Sequence, residues 1–462
     1  MAGDTSSPLP LARLSQNIES GHVDTVLVVF TDMQGRLQGK RVHAKFFLEE
    51  VMNHGVEACN YLLAVDVDMN TVAGYEISSW DTGYGDFMLR PDMSTLRAAP
   101  WLPGTAMVQC DLVWLDGQPV RQSPRQVLRA QVAEAEQLGC VALAGTELEF
   151  LVFEGSYQRA WDRNYQNLRP ATRYNVDYSI LGTSEVEPLL RDIRNAMYNA
   201  GMTVESSKGE CAPGQQELTF KYDDVLRTAD NHVVFKAGAK ELAGRHDKAL
   251  TFMSKYDDRE GNSCHIHMSL RGASDGAFVF AEDETVLAED FDGRSPVFRS
   301  FVAGVLATLE DFTLLYAPNV NSYKRFQPGS FAPTAIAWGN DNRTCALRVV
   351  GSGASLRLEN RVPGGDANPY LALSAMLAGG LFGIRAGLPL EPPVQGNAYE
   401  SNAAHVPTTL REARDKFADS ELAKSAFGED VVAHYVHAAD VELDAFNGAV
   451  TDWERKRGFE RL

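Results

Sequence analysis

Cysteine is scarce in this sequence and positive charge is short. Six cysteines stand in 462 residues, at Cys59, Cys110, Cys140, Cys211, Cys264 and Cys345. They are too scattered for a disulfide framework, and no C-x-x-C pair is available to grip zinc. Reduced, buried thiols are expected. Lysine and arginine total 43 against 62 aspartates and glutamates, a formal net charge of -19. Such a surface repels phosphate backbones, which excludes nucleic acid and anionic membranes as primary partners. An anionic substrate would need a local cluster of arginines or metals. Long apolar runs are missing too: the most apolar segment, Leu371 to Ile384, holds two adjacent glycines and stops at Arg385, too short to cross a bilayer. Met1 to Leu14 shows no basic stretch followed by an apolar one, so no signal peptide is read and a cytoplasmic location is predicted. Also absent are a G-x-x-x-x-G-K-[ST] loop, a kinase-like glycine loop and a G-x-S-x-G elbow. Any nucleotide must then be held by metals and arginines, and a covalent enzyme intermediate has no support.

A chain of this length calls for a small domain plus a large one. Residues 1–20 are polar and Pro-containing and read as an arm. Thr25 to Thr31 (TVLVVFT) is β-branched and apolar, Asp32 to Gly35 reads as a turn, and Thr105 to Leu115 alternates toward another strand. A small strand-rich domain is therefore placed at 21–118. Ser123 can cap a helix, Pro124 suits its first position and Gly139 follows an Ala/Glu/Gln/Leu-rich run. That helix opens a second domain, 119–462. Beyond residue 141, short strand-like runs alternate with helical stretches such as 186–198 and 231–244, with no fixed-period repeat. Trp161 to Tyr178, rich in Trp, Tyr, Asn and Arg, reads either as a loop over a site or as a surface excursion.

The chemistry lies in strand-like segments that place polar residues at i, i+2, one face of a strand. In Val141 to Phe153 the pair is Glu147 and Glu149. In Asn262 to Leu270 it is His265 and His267, and in Ser355 to Val362 the face carries Arg357, Glu359 and Arg361. The run Glu210 to Phe220 adds Glu210 and Glu217 around Pro213-Gly214. Each pattern alone is also what a strand with one wet face shows. On one sheet, however, Glu147, Glu149, Glu210, Glu217 and Glu359 would crowd five negative charges, which only cations can stabilise at neutral pH. Oxygen-dominated ligation with an imidazole favours Mg²⁺ or Mn²⁺ over zinc, and magnesium keeps positions open for phosphate oxygens. Arg325, Arg343, Arg348, Arg357 and Arg361 add the guanidinium groups that phosphoryl transfer requires.

Together these stretches resemble glutamine synthetase of the bacterial type and the γ-glutamyl-amine ligases related to it. The matching segments are 145–150 (GTELEF), 209–217 (GECAPGQQE), 261–269 (GNSCHIHMS), 321–325 (NSYKR), Asn342-Arg343 with Arg348, and 357–361 (RLENR), in the family's order. The resemblance implies an α+β fold with an N-terminal β-grasp domain and a catalytic domain on a curved antiparallel sheet. It further implies a homo-oligomer of stacked rings, a dodecamer, with each active site between neighbours. By position, Glu149, Glu210 and Glu217 correspond to ligands of one metal, and Glu147, His265 and Glu359 to ligands of the other. Glu205, His267, Ser269 and Arg348 fall where the family contacts ATP, and Gly261, Arg325 and Arg361 where it holds glutamate. Arg343 falls where the family stabilises the transferring phosphoryl group. The implied reaction activates a carboxylate with ATP as an acyl phosphate, which an amine then displaces.

The sequence departs from the family at the flap. Residues 327–333 read QPGSFAP, so Phe331 stands where ammonia-using relatives carry a glutamate that binds and deprotonates ammonium. The aspartate-glycine-serine-serine segment of those enzymes is also absent; its nearest counterpart, 64–68, leaves Asp66 as an anionic contact for the amine. An apolar wall fits a nucleophile bearing carbon, such as ethanolamine, another short monoamine or a polyamine. Tyr178 falls near the family's substrate-side tyrosine. Glu260 replaces the family's usual asparagine, and Tyr399 lies near the region where some relatives are adenylylated, in a poorly matching context. The rival readings are an ammonia-using glutamine synthetase and a catalytically silent scaffold of the same fold. The scaffold reading is disfavoured because every matched ligand position holds Glu or His.

Overall fold

β-Branched and apolar runs become strands in two sheets. A computed structural model describes residues 8–281 and 294–462. The first sheet holds β1 (Thr25–Thr31), β2 (Leu37–His43), β3 (Val56–Cys59), β4 (Asp86–Pro91), β5 (Arg97–Ala98) and β6 (Thr105–Val113). Its order is β2-β1-β6-β4-β3, with β5 beside β6. β1 and β6 run parallel, Thr25 opposite Thr105, and a helical stretch at 44–54 connects β2 to β3. A parallel pair requires a long crossover, here residues 32–104 with β2 to β5 and that helical stretch, which is the plan expected of a β-grasp sheet.

The second sheet is built from β7 (Cys140–Glu154), β8 (Val204–Gly209), β9 (Gln215–Phe220), β10 (Asp223–Asp224), β11 (Lys248–Thr251), β12 (Cys264–Gly272), β13 (Trp338–Asn340), β14 (Leu347–Val350) and β15 (Arg357–Asn360). The order is β13-β14-β15-β12-β7-β9-β8, with β10 and β11 also on β7. Its ladders are antiparallel except at one edge, where β13 and β14 run parallel. Helices Pro124–Gln137 and Val225–Arg245 pack on β7. The second starts earlier than the expected residue 231, because the Asp224 side chain accepts the N–H groups of Leu226 and Arg227.

Two polar contacts fasten the sheets together. Arg125 is buried and paired with Asp92 at 2.8 Å and Asp111 at 2.6 Å from the first sheet's strands and loops, and with Asp230 at 2.9 Å on the long helix. Removing one partner of such a buried network leaves the others uncompensated. Asn368 caps helix Pro369–Ala386 by accepting the Tyr370 N–H, while its amide donates to the carbonyls of Asp32 and Met33, both at 3.1 Å.

Three expectations shift. Helix Pro369–Ala386 outruns the apolar segment read from the sequence and has the length and composition of a membrane span, yet 78% of it is buried within the protein. Its apolarity is that of a core helix. Part of the segment read as an arm, Leu11–Glu19, is a helix with Leu14 and Ile18 buried, an i, i+4 pair that docks one face; residues 1–7 lie outside the described residues. All six cysteines are free as expected, but Cys59 and Cys211 are only half-buried.

Candidate active site

Strand register converts distant sequence segments into neighbours. Glu147 stands opposite His265 across β7 and β12, and His267 stands opposite Glu359 across β12 and β15. Glu149 faces Glu217 across β7 and β9, and Arg348 faces Glu359 across β14 and β15. Alternation along each strand puts these side chains on one face.

Two groups of donors result. The first is Glu149, Glu210 and Glu217, with ligating oxygens within 4.8 Å of one another. Glu149 accepts the Ser263 N–H at 2.7 Å and the Gln215 amide at 3.1 Å. Burial, then the charge of Glu210, raises its carboxyl above the ordinary range. Burial together with Glu147, Glu149 and Glu210 pushes Glu217 up to about 9, against the lowering effect of Lys208. Carboxylates so placed are a strong sink for a divalent cation.

The second group is Glu147, His267 and Glu359, again within 4.8 Å. His267 Nε2 lies 3.0 Å from Glu147. His265, expected as the ligand here, approaches Glu147 at 3.3 Å and Glu359 at 3.7 Å through Nδ1. Its buried Nε2 has no hydrogen-bond partner. Burial, then Arg361, pushes His265 down to about 4, so it is a neutral imidazole at pH 7, the form that binds metals. Glu359 is fully buried, 2.7 Å from Arg348 and also paired with Arg361. Burial opposes its ionisation, but His265, His267 and the two arginines bring it down to about 2. Oxygen donors with imidazole suit a hard divalent ion.

Beside the second group lies a cavity of about 300 Å³, lined by Glu205, His267, Ser269, Arg271 and Arg357 among others. Three of the four residues expected at ATP thus come together. Arg348 does not line it, because its guanidinium is taken by Asp341 and Glu359. Arg271 was missed by sequence reasoning, although the alternation His265, His267, Ser269, Arg271 along β12 carries it to the same face.

The three glutamate-site candidates also converge. Arg325 is buried and donates to the Val362 carbonyl at 2.9 Å, the Ser263 hydroxyl at 2.9 Å and the Arg361 carbonyl at 3.1 Å. Burial lowers it only to about 10, which leaves it charged at neutral pH. Arg361 Nε is buried without a partner. Gly261 is required by close approach: a Cβ there would sit 2.1 Å from the Ser254 carbonyl oxygen. Its own carbonyl accepts from Gln215 at 2.9 Å.

Two of the amine-side candidates, Phe331 and Tyr178, are exposed, and Asp66 is half-buried. Phe331 has φ 55° and Tyr178 φ 54°, and the Phe331 carbonyl accepts from Arg361 at 3.4 Å. Lys208 Nζ lies 4.7 Å from the Tyr178 ring centre and pairs with Glu210. Sequence reasoning missed Lys208, although Lys208 and Glu210 keep the i, i+2 spacing. Arg343 is exposed, with no ion pair among the described residues. Asp66 is not brought to the clusters within the chain; it lines a second cavity with Lys236, Lys240 and Glu442.

Residues 121–458 match the family model described as glutamine synthetase, catalytic domain. The chain is 60% identical over 459 residues to gamma-glutamylethanolamide synthetase GlnA4 of Streptomyces coelicolor, covering 99% of this chain and 97% of that one. It is 38% identical over 445 residues to a glutamate–isopropylamine ligase of a Pseudomonas species, covering 95% and 96%. Among solved structures, a GmaS/ADP complex superposes with a TM-score of 0.83 at 26% identity, covering 97% of this chain and 99% of that one. With a matched catalytic region that contains both carboxylate groups, the chain belongs to the glutamine synthetase family.

Proposed function

We propose that this chain joins the γ-carboxylate of glutamate to an organic primary amine such as ethanolamine, converting ATP to ADP and phosphate through γ-glutamyl phosphate. As a family member it is a ligase that uses ATP and divalent metal; Mg²⁺ or Mn²⁺ is the proposed ion. The observation that carries the amine reading is Phe331. The flap position that ammonia-using relatives fill with glutamate is apolar here, and its backbone is tied to Arg361. The relatives named for ethanolamine and isopropylamine ligation support the same choice.

In this reading Glu149, Glu210 and Glu217 would hold one ion, and Glu147, Glu359 and a histidine of β12 the other. Such ions neutralise phosphate charge and lower the barrier to phosphoryl transfer. Glu205, His267 and Ser269 border the ATP site, and Arg271 and Arg357 extend it. Gly261, Arg325 and Arg361 bind glutamate; the unpartnered Nε of Arg361 is a donor ready for a carboxylate oxygen. The γ-carboxylate attacks the γ-phosphorus of ATP, Arg343 steadies the phosphoryl oxygens, and the amine nitrogen then displaces phosphate. Phe331 and Tyr178 wall the amine, and Asp66 reaches it from an adjacent subunit.

The same reading assigns 21–118 to the β-grasp domain, preceded by the docked helix Leu11–Glu19, and 119–462 to the catalytic domain, in stacked rings, a dodecamer, in the cytoplasm. The test is phosphate release with ATP, Mg²⁺, glutamate and a panel of amines including ammonium. Saturation by ethanolamine or another short primary amine is expected. Saturation by millimolar ammonium with no response to an organic amine would replace the proposal with an ammonia-using glutamine synthetase.

A further inference from the structure

Lys208 joins the metal side of the site to its amine side, and neither the family match nor the named relatives give it a role. It lies on β8 directly opposite Glu217. Its ammonium is paired with Glu210, 3.9 Å from Glu217 and 4.7 Å from the centre of the Tyr178 ring. Only 22% of its side chain is exposed. The segment carrying Tyr178 rests on the same strand because residue 209 is glycine: a Cβ there would fall 2.5 Å from the Val176 carbonyl oxygen. The Tyr178 N–H points to the Gly209 carbonyl at 3.4 Å. The Asp177 carboxylate is turned toward the Cys211 thiol, 3.7 Å away. Lys208 therefore places an ammonium 4.7 Å from the centre of the ring proposed to wall the amine.

We infer that Lys208 is a specificity-determining residue that restricts the amine to monoamines with an uncharged tail and rejects diamines and polyamines. The reacting nitrogen must shed its proton before it can attack, so its charge is lost. A second ammonium on the same molecule keeps its charge and meets that of Lys208, whose side chain is mostly withdrawn from water, so the like charges repel more strongly than in bulk water. A hydroxyl or methyl tail meets none of this.

The inference rests on the proposed amine pocket at Tyr178, and an isosteric pair separates the two. 3-Aminopropan-1-ol and 1,3-diaminopropane match in length and differ in one terminal charge. Their kcat/KM ratio is measured in the wild type, K208Q and K208R. In parallel, calorimetry gives the Kd of each amine for protein loaded with Mg²⁺, ADP and glutamate. The wild type is expected to favour the alcohol at least about tenfold, K208Q to lose about tenfold of that ratio, and K208R to keep it. The calorimetric ratio is expected to follow. A ratio unchanged in K208Q, or lost equally in K208R, overturns the inference. Turnover of neither amine by the wild type would count against the ligase reading, while the calorimetric ratio would still decide the role of Lys208.

Discussion

Glu149 and Glu217 stand directly opposite each other across the β7–β9 ladder, an arrangement of like charges that destabilises an antiparallel pair. Both are buried and both titrate above the ordinary carboxylate range, Glu217 at about 9. At these two carboxylates the folded protein therefore holds more protons than the unfolded chain between pH 4.5, the ordinary value, and about 9. Stability from these groups is full below that window and is lost as pH rises through it. Metal-free protein is expected to show a falling Tm in the part of the window above pH 6.5, where the depressed histidines such as His265 no longer oppose it, and the Tm increment given by Mn²⁺ should grow with pH as protons cease to compete. Scanning calorimetry at several pH values, with and without Mn²⁺, checks this; a pH-independent increment would refute it.

Glu359→Gln separates chemistry from folding. Glu359 is fully buried and balances Arg348 and Arg361. The amide removes the charge while keeping one acceptor, so turnover of ATP should fall by about two to three orders of magnitude. Arg361 left without its counter-charge, and Arg348 left with Asp341 alone, should cost about 3 kcal/mol of stability. Phosphate-release kinetics and urea denaturation read the two effects independently. Retained turnover would show that the phosphate released does not come from the site built around Glu359.

Restoring a carboxylate to the flap should move specificity. In Phe331→Glu the new acid can bind ammonium by charge and takes away the apolar wall. The kcat/KM for ammonium is expected to rise and that for ethanolamine to fall, shifting their ratio by about tenfold or more. A ratio that stays put in the amine panel would show that the position does not face the nucleophile.

Much of this site was legible because strand alternation is a strict code. Glu147 and Glu149, His265 and His267, and Arg357, Glu359 and Arg361 kept the i, i+2 spacing that fixes one face, and residue order plus family resemblance supplied the pairing. Register was not legible. It takes the β12–β15 ladder to put His267, rather than His265, opposite Glu359, and competition for one carboxylate to draw Arg348 away from the nucleotide cavity. Lys208 escaped notice because a lone lysine in a strand carries no signal until its neighbours across the sheet are known. The parallel edge pair β13–β14 is a product of tertiary packing that a three-residue strand cannot announce.

The remote position of Asp66 makes the sharing of sites between subunits testable. Within the chain Asp66 accepts from the backbone N–H groups of Asp68 and Asn70 and lines a cavity with Lys236, Lys240 and Glu442. No hydrogen bond or ion pair joins it to Glu147, Glu149, Glu210, Glu217 or Glu359 among the described residues. If an adjacent subunit supplies it, Asp66→Ala and Glu359→Gln inactivate different halves of each composite site. Mixed assemblies then contain some junctions where an intact Glu359 meets an intact Asp66, about a quarter of all junctions under random mixing in a closed ring. Co-expression of two differently tagged variants, followed by tandem purification, should recover activity of that order, whereas mixing the separately purified assemblies without exchange should recover none. Failure of co-assembled oligomers to exceed the sum of the two parents would mean that Asp66 serves its own chain's site or no site.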